Sequence, residues 1–174
     1  MPLAMSVLRI AGPLLAVACA GAACGDDRAA LSRACQDPSD ARRQLEACSK
    51  LIAADPKHRK AYDNRCQAYN QLEQYSKALP DCDKAIELGP SAASPYNNRG
   101  VSHEMRGDLD AALKDYDQAI ALDPRFAGAF ANRGDVYAKK GDKPRAVAEY
   151  RAALALEPDN GVALSGLKKL GAGR

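Results

Sequence analysis

Four prolines, Pro56, Pro90, Pro124 and Pro158, stand 34 residues apart with no insertion or deletion between them. Each closes a short dipeptide stop: Asp55-Pro56, Gly89-Pro90, Asp123-Pro124 and Glu157-Pro158. A fixed period of this size makes an array, in which each unit buries its apolar face only against its neighbours. With the proline taken as position 32, residues 59–92, 93–126 and 127–160 are three full units. Residues 24–58 then form a linker and a degenerate first unit, and residues 161–174 a capping helix and tail.

The columns of this register alternate small and large side chains. Position 8 reads Cys66, Gly100, Gly134; position 20 reads Ala78, Ala112, Ala146; position 27 reads Ala85, Ala119, Ala153. Position 4 is Tyr62, Tyr96, Phe130, and position 24 is Cys82, Tyr116, Tyr150. Small residues let two helices approach closely, and the large ones fill the space beside the contact. The stretch Tyr96-Asn-Asn-Arg-Gly100…Gly107-Asp108…Ala112…Tyr116…Ala119-Ile…Leu122-Asp-Pro124 carries this pattern most fully. It resembles the tetratricopeptide repeat, a helix-turn-helix unit, closely over 59–160 and loosely over 26–58. The resemblance implies an all-α fold, a right-handed α-α superhelix of about 3.5 units.

Local chemistry sets the expected helix ends. Ser94-Pro95 predicts a cap and first-turn proline. Gly107-Asp108 and Gly141-Asp142 predict ends for first (A) helices and caps for second (B) helices. Pro80 falls inside the B helix of the first full unit, where it should kink or shorten the start. In the degenerate unit, Asp26 to Cys35 and Ser39 to Asp55 read as the two helices. After Asn160, the apolar Val162, Leu164, Leu167 and Leu170 are expected to face the array.

The amino end follows another logic. Arg9 is the only charge in the first 25 residues, and the apolar run after it ends in small residues at Ala23. Residues 1–23 thus read as an export signal, too short for a comfortable membrane span. Ala20-Gly21-Ala22 suits ordinary cleavage, whereas Gly21-Ala22-Ala23-Cys24 resembles a bacterial lipobox, with Gly21 where leucine is usual. Lipidation at Cys24 would leave Cys35, Cys48, Cys66 and Cys82, an even set suited to an oxidising compartment. Plain cleavage would leave an odd thiol, so parity favours the lipid. In such relatives Gly25, rather than aspartate, after the cysteine implies outer-membrane delivery.

In an antiparallel helix pair, facing positions have unit numbers summing to about 31. Cys66 and Cys82 meet that condition, and Cys35 and Cys48 flank the turn of the degenerate unit; both pairs are expected as disulfides. Arg65, Arg99 and Arg133 recur at position 7, with Asp81, Asp115 and Glu149 always 16 residues later. An ion pair within each unit accounts for both columns better than an anion-binding stripe.

The resemblance places Asn64, Asn98 and Asn132 (position 6) on the face that lines a concave groove. There a stacked asparagine ladder could bond an extended peptide's backbone or merely the neighbouring helices. Lys60, Gln67, Asn97, Val101 and Asp135, with Asp63, Asn70, Glu104, Ala131 and Ala138, complete that surface. The lysines of the carboxylate clamp in chaperone-binding relatives are missing, because Asp63 and Gly128 stand in their places.

A formal net charge of +3 with interspersed signs gives no basis for nucleic-acid binding. His58 and His103 are the only histidines. No phosphate-cradling glycine loop, zinc cage or nucleophile motif occurs, so neither catalysis nor cofactor nor metal is expected. The reading is a non-enzymatic scaffold or adaptor in a bacterial cell envelope, held to the membrane by a lipid alone, with a protein or peptide partner. A self-associating homodimer is the alternative, and a cysteine-rich helical-repeat hydrolase a weaker one.

Overall fold

The computed structural model describes residues 21–173, with side chains from residue 27. The export-signal reading therefore falls mostly outside the described residues, and the Cys24 side chain falls outside them too. Nine helices and no strand occur among the described residues: α1 (Gly21–Gln36), α2 (Ala41–Ala54), α3 (Arg59–Gln71), α4 (Tyr75–Leu88), α5 (Ala93–Met105), α6 (Leu109–Leu122), α7 (Ala127–Lys139), α8 (Lys143–Leu156) and α9 (Gly161–Lys169). None of them is long and apolar enough to cross a membrane.

Consecutive helices pack into hairpins, and hairpins stack in chain order. The A helices α1, α3, α5, α7 and α9 also touch one another from unit to unit, whereas successive B helices do not. Closer spacing on the A side bends the stack, so the A helices line its inner face.

Small columns make the close contacts. Ala78, Ala85, Ala112, Ala119, Ala146 and Ala153 are fully buried. A Cβ on Gly100 would lie 2.6 Å from the Tyr116 ring, and one on Gly134 2.8 Å from the Tyr150 ring. Glycine at position 8 thus makes room for tyrosine at position 24. In the first full unit the same two positions hold Cys66 and Cys82, which are bonded with Cα atoms 5.4 Å apart. Cys48, also at position 24, is bonded to Cys35 across the preceding hairpin, Cα to Cα 4.8 Å. The array is thus wedged by tyrosine in its last two full units and stapled by disulfide in its first two hairpins.

Several local expectations change. α4 keeps Pro80 inside it and has 14 residues, the same as α6 and α8. The proline forfeits one backbone bond, but packing of Ala78, Cys82 and Ala85 holds the helix to full length. Ser94 does not cap α5: the cap is Ala92, and Ser94 Oγ accepts from Asn98 Nδ2 at 3.4 Å within the helix. Gly107 and Gly141 have φ of 86° and 80°, as helix-ending glycines require. Asp142 caps α8 through Arg145 N, but the Asp108 carboxylate makes no cap bond; it turns toward His103 and Arg106, at 3.8 and 3.9 Å. In α9 Ala163, Gly166 and Leu167 face the array and Leu170 packs beside them, as expected of Leu167 and Leu170, while Val162 is 43% exposed. Val162 precedes Ala163 by one residue, about 100° around the helix, which turns it outward.

Candidate binding groove

The inner face is built from the A helices, whose polar residues bond chiefly to one another across units. Asn98 Nδ2 donates to Asp63 Oδ1 at 2.8 Å, and Asn132 Nδ2 to Asn97 Oδ1 at 3.0 Å. Asn64 Nδ2 lies 3.8 Å from Cys35 Sγ. Each asparagine of the position 6 column therefore turns one amide N–H toward the preceding A helix. Each of the three thus serves as an interhelical stitch.

The other groove residues follow suit. Gln67 accepts from the buried Gln44 at 3.4 Å. Asn70 donates to the Asn98 backbone carbonyl at 2.7 Å and accepts from Ser102 Oγ at 2.6 Å. Glu104 accepts from Tyr116 Oη at 2.7 Å and pairs with Lys139 at 2.8 Å. Asp135 accepts from Tyr150 Oη at 2.6 Å. Burial and the facing carboxylates hold both tyrosine hydroxyls above their ordinary pKa, so they stay protonated donors. Val101 packs beside Ala112, Tyr116 and Val136, and Lys60 stands exposed at the lip.

The arginine column points elsewhere. Arg65 meets Asp81 at 2.6 and 2.7 Å, Arg99 meets Asp115 at 2.9 and 2.7 Å, and Arg133 meets Glu149 at 2.8 Å. Each also reaches position 25 of the preceding unit: Ser49 at 3.2 Å, Asp83 at 2.7 Å and Asp117 at 2.6 Å. Their guanidinium carbons sit 5.5–5.7 Å from the ring centres of Tyr62, Tyr96 and Phe130. The ion pairs raise the pKa of Arg65 and Arg99 above its already high value. Each arginine therefore clamps two helices and leaves no free anion stripe.

One open groove of about 590 Å³ runs along the edge where the A helices begin. Arg59, Lys60, Asp63 and Asn64 form one wall, Ser91 to Ser94 the floor, and Leu122, Asp123 and Phe126 the far side. Sequence reading missed Asp63 as more than a lining residue. The available signal was a spacing of 35, one more than the period, which links Asp63 to Asn98 and Asn97 to Asn132. His58 caps α3 by accepting from Ala61 N at 3.2 Å. His103 sits between Asp108 and Asp115, at 3.8 and 3.9 Å, with no hydroxyl or thiol nucleophile bonded to it among the described residues. No cluster of side chains able to hold a metal occurs among the described residues.

Two family models match the chain: TPR repeat over residues 105–141 and tetratricopeptide repeat over residues 127–160. No curated protein matches it. Among solved structures, a crystal structure of MamA is similar at 22% identity and TM-score 0.63, with 84% of this chain and 85% of that chain covered. The TPR domain of Arabidopsis OM64 is 26% identical with TM-score 0.62, covering 65% of this chain and 93% of that one. The second TPR domain of human RPAP3, solved in complex with the HSP70 peptide SGPTIEEVD, is 27% identical with TM-score 0.58, covering 64% and 93%.

Proposed function

The chain is a tetratricopeptide-repeat protein, and from that premise we propose that it is a non-enzymatic scaffold of a bacterial cell envelope that holds a peptide or partner protein along its inner face. The observation that carries the reading is the open groove of about 590 Å³ at the inner edge, which brings together side chains from three successive hairpins. Interhelical bonds fix its walls in advance, so a partner is met by a preformed surface and little ordering cost falls on the repeat protein. The RPAP3 and OM64 domains share this architecture, and the former holds a peptide. The envelope assignment is supported by the layout of residues 1–24 and by two disulfides, which persist in an oxidising compartment. In this reading Cys24 carries the lipid and the outer membrane is the destination.

Photo-crosslinking in cells tests the reading. A crosslinking residue in place of Lys60, at the groove lip, should trap a partner protein, and the same residue in place of Lys114 on α6 should not. Adducts from Lys114 alone would refute groove binding. Globomycin sensitivity of processing, together with loss of processing in Cys24→Ala, tests the lipid anchor; processing unchanged by both would remove it.

A further inference from the structure

Four carboxylates among the described residues are buried: Asp63, Asp81, Glu104 and Asp115. Three of them hold a cation. Asp81 meets Arg65 at 2.6 Å, Asp115 meets Arg99 at 2.7 Å, and Glu104 meets Lys139 at 2.8 Å. Asp63 is the exception: it is only 7% exposed, and among the described residues no lysine or arginine nitrogen lies within 4.0 Å of it. Its hydrogen bond from Asn98 comes from a neutral amide. Burial raises its pKa, offset only in part by the bonds from Ser94 and Asn98 and the field of Arg59. An ionised carboxylate in this position lacks the compensation its three counterparts have.

Asp63 also lines the edge groove, with Asp123, Leu122 and Phe126. We propose that Asp63 anchors a cation subsite, which takes the guanidinium or ammonium of an arginine or lysine side chain from the bound peptide. The inference rests on the groove-binding reading above and adds the chemistry of the residue recognised. The cation would replace solvent at the carboxylate, its aliphatic stem would lie on Leu122 and Phe126, and Asp123 would add a second negative charge. Arg59 and Lys60 share the groove and oppose long-range attraction of a cation. Recognition therefore depends on contact at the carboxylate rather than on electrostatic steering, so it should respond weakly to salt.

The test uses the full chain and three fluorescein-labelled peptides, Ala-Leu-Ser-Ala, then arginine, glutamine or glutamate, then Ala-Leu-Ser-Ala, read by fluorescence anisotropy. The arginine peptide should bind at least about tenfold more tightly than the glutamine one, with glutamate weakest. Asp63→Asn should abolish that preference while circular dichroism shows an intact fold. Asp123→Asn, at an exposed position across the groove, should reduce the preference in part. Equal binding of all three peptides, lost on blocking Lys60 with a bulky adduct, would overturn the cation subsite and leave groove binding standing. A preference that survives in Asp63→Asn would also overturn it. No binding by any of the three would count against both readings.

Discussion

Arg133 differs from Arg65 and Arg99 by the reach of its acid. Arg65 and Arg99 each use Nε and one terminal nitrogen to meet both oxygens of an aspartate. Arg133 meets both oxygens of Glu149 through one terminal nitrogen, which leaves its buried Nε without a partner. The extra methylene of glutamate carries the carboxylate past the fork. Glu149→Asp should restore the two-pronged pair and raise stability by about 1 kcal/mol, read as a shift in the urea midpoint at constant slope. Asp63 gives the opposite case. Burial raises its pKa above 3.8, so the folded chain binds that proton more tightly than the unfolded one. Its favourable contribution is complete below pH 3.8 and is lost as pH rises through the raised folded value. Asp63→Asn should therefore melt no lower than the wild type at pH 7, with the wild type gaining on the variant as pH falls toward 4; calorimetry at the two pH values checks this. A variant that stabilises the fold yet abolishes arginine preference would separate the group's structural cost from its use.

Within one hairpin, two solutions fill the same gap. Gly100 against Tyr116, and Gly134 against Tyr150, are close ring contacts; Cys66 against Cys82 is a covalent one. Replacing both cysteines by serine should cost about 3 kcal/mol in the chain-entropy account of a loop this long. Cys66→Gly combined with Cys82→Tyr should recover most of that loss, because it installs the pair found in the next unit. Cys82→Tyr alone should fail, since the ring would meet the side chain at position 66. Urea unfolding of the three variants decides the matter, and a double variant no better than the serine pair would disprove the equivalence. The hairpin pairings were legible in the sequence, since a two-helix turn of fixed length brings positions 8 and 24, and 7 and 23, face to face. The α5 start was not, because Ser94-Pro95 looks like a cap while the helix begins with Ala93.

At the scale of the molecule, each hairpin touches only its neighbours, so stability should be graded along the array. The first two hairpins are stapled, whereas α9 is held on one side and exposes Val162. Hydrogen exchange should therefore open α9 first and leave α5 and α6, packed on both sides, the most protected. Protection of α9 equal to that of α5 would contradict the graded picture. The prolines at a period of 34, with small and large columns in register, determined by themselves that the chain is a stack of helical hairpins, and they paired Arg65, Arg99 and Arg133 with their acids. Those contacts lie inside one unit, where spacing along the chain sets spacing in space. The angle at which one A helix crosses the next is a property of the packed stack, not of the period. Only the tertiary structure decided that each position 6 asparagine turns an N–H toward the preceding A helix, that Asp63 is buried with no cation beside it among the described residues, and that three hairpins share one groove.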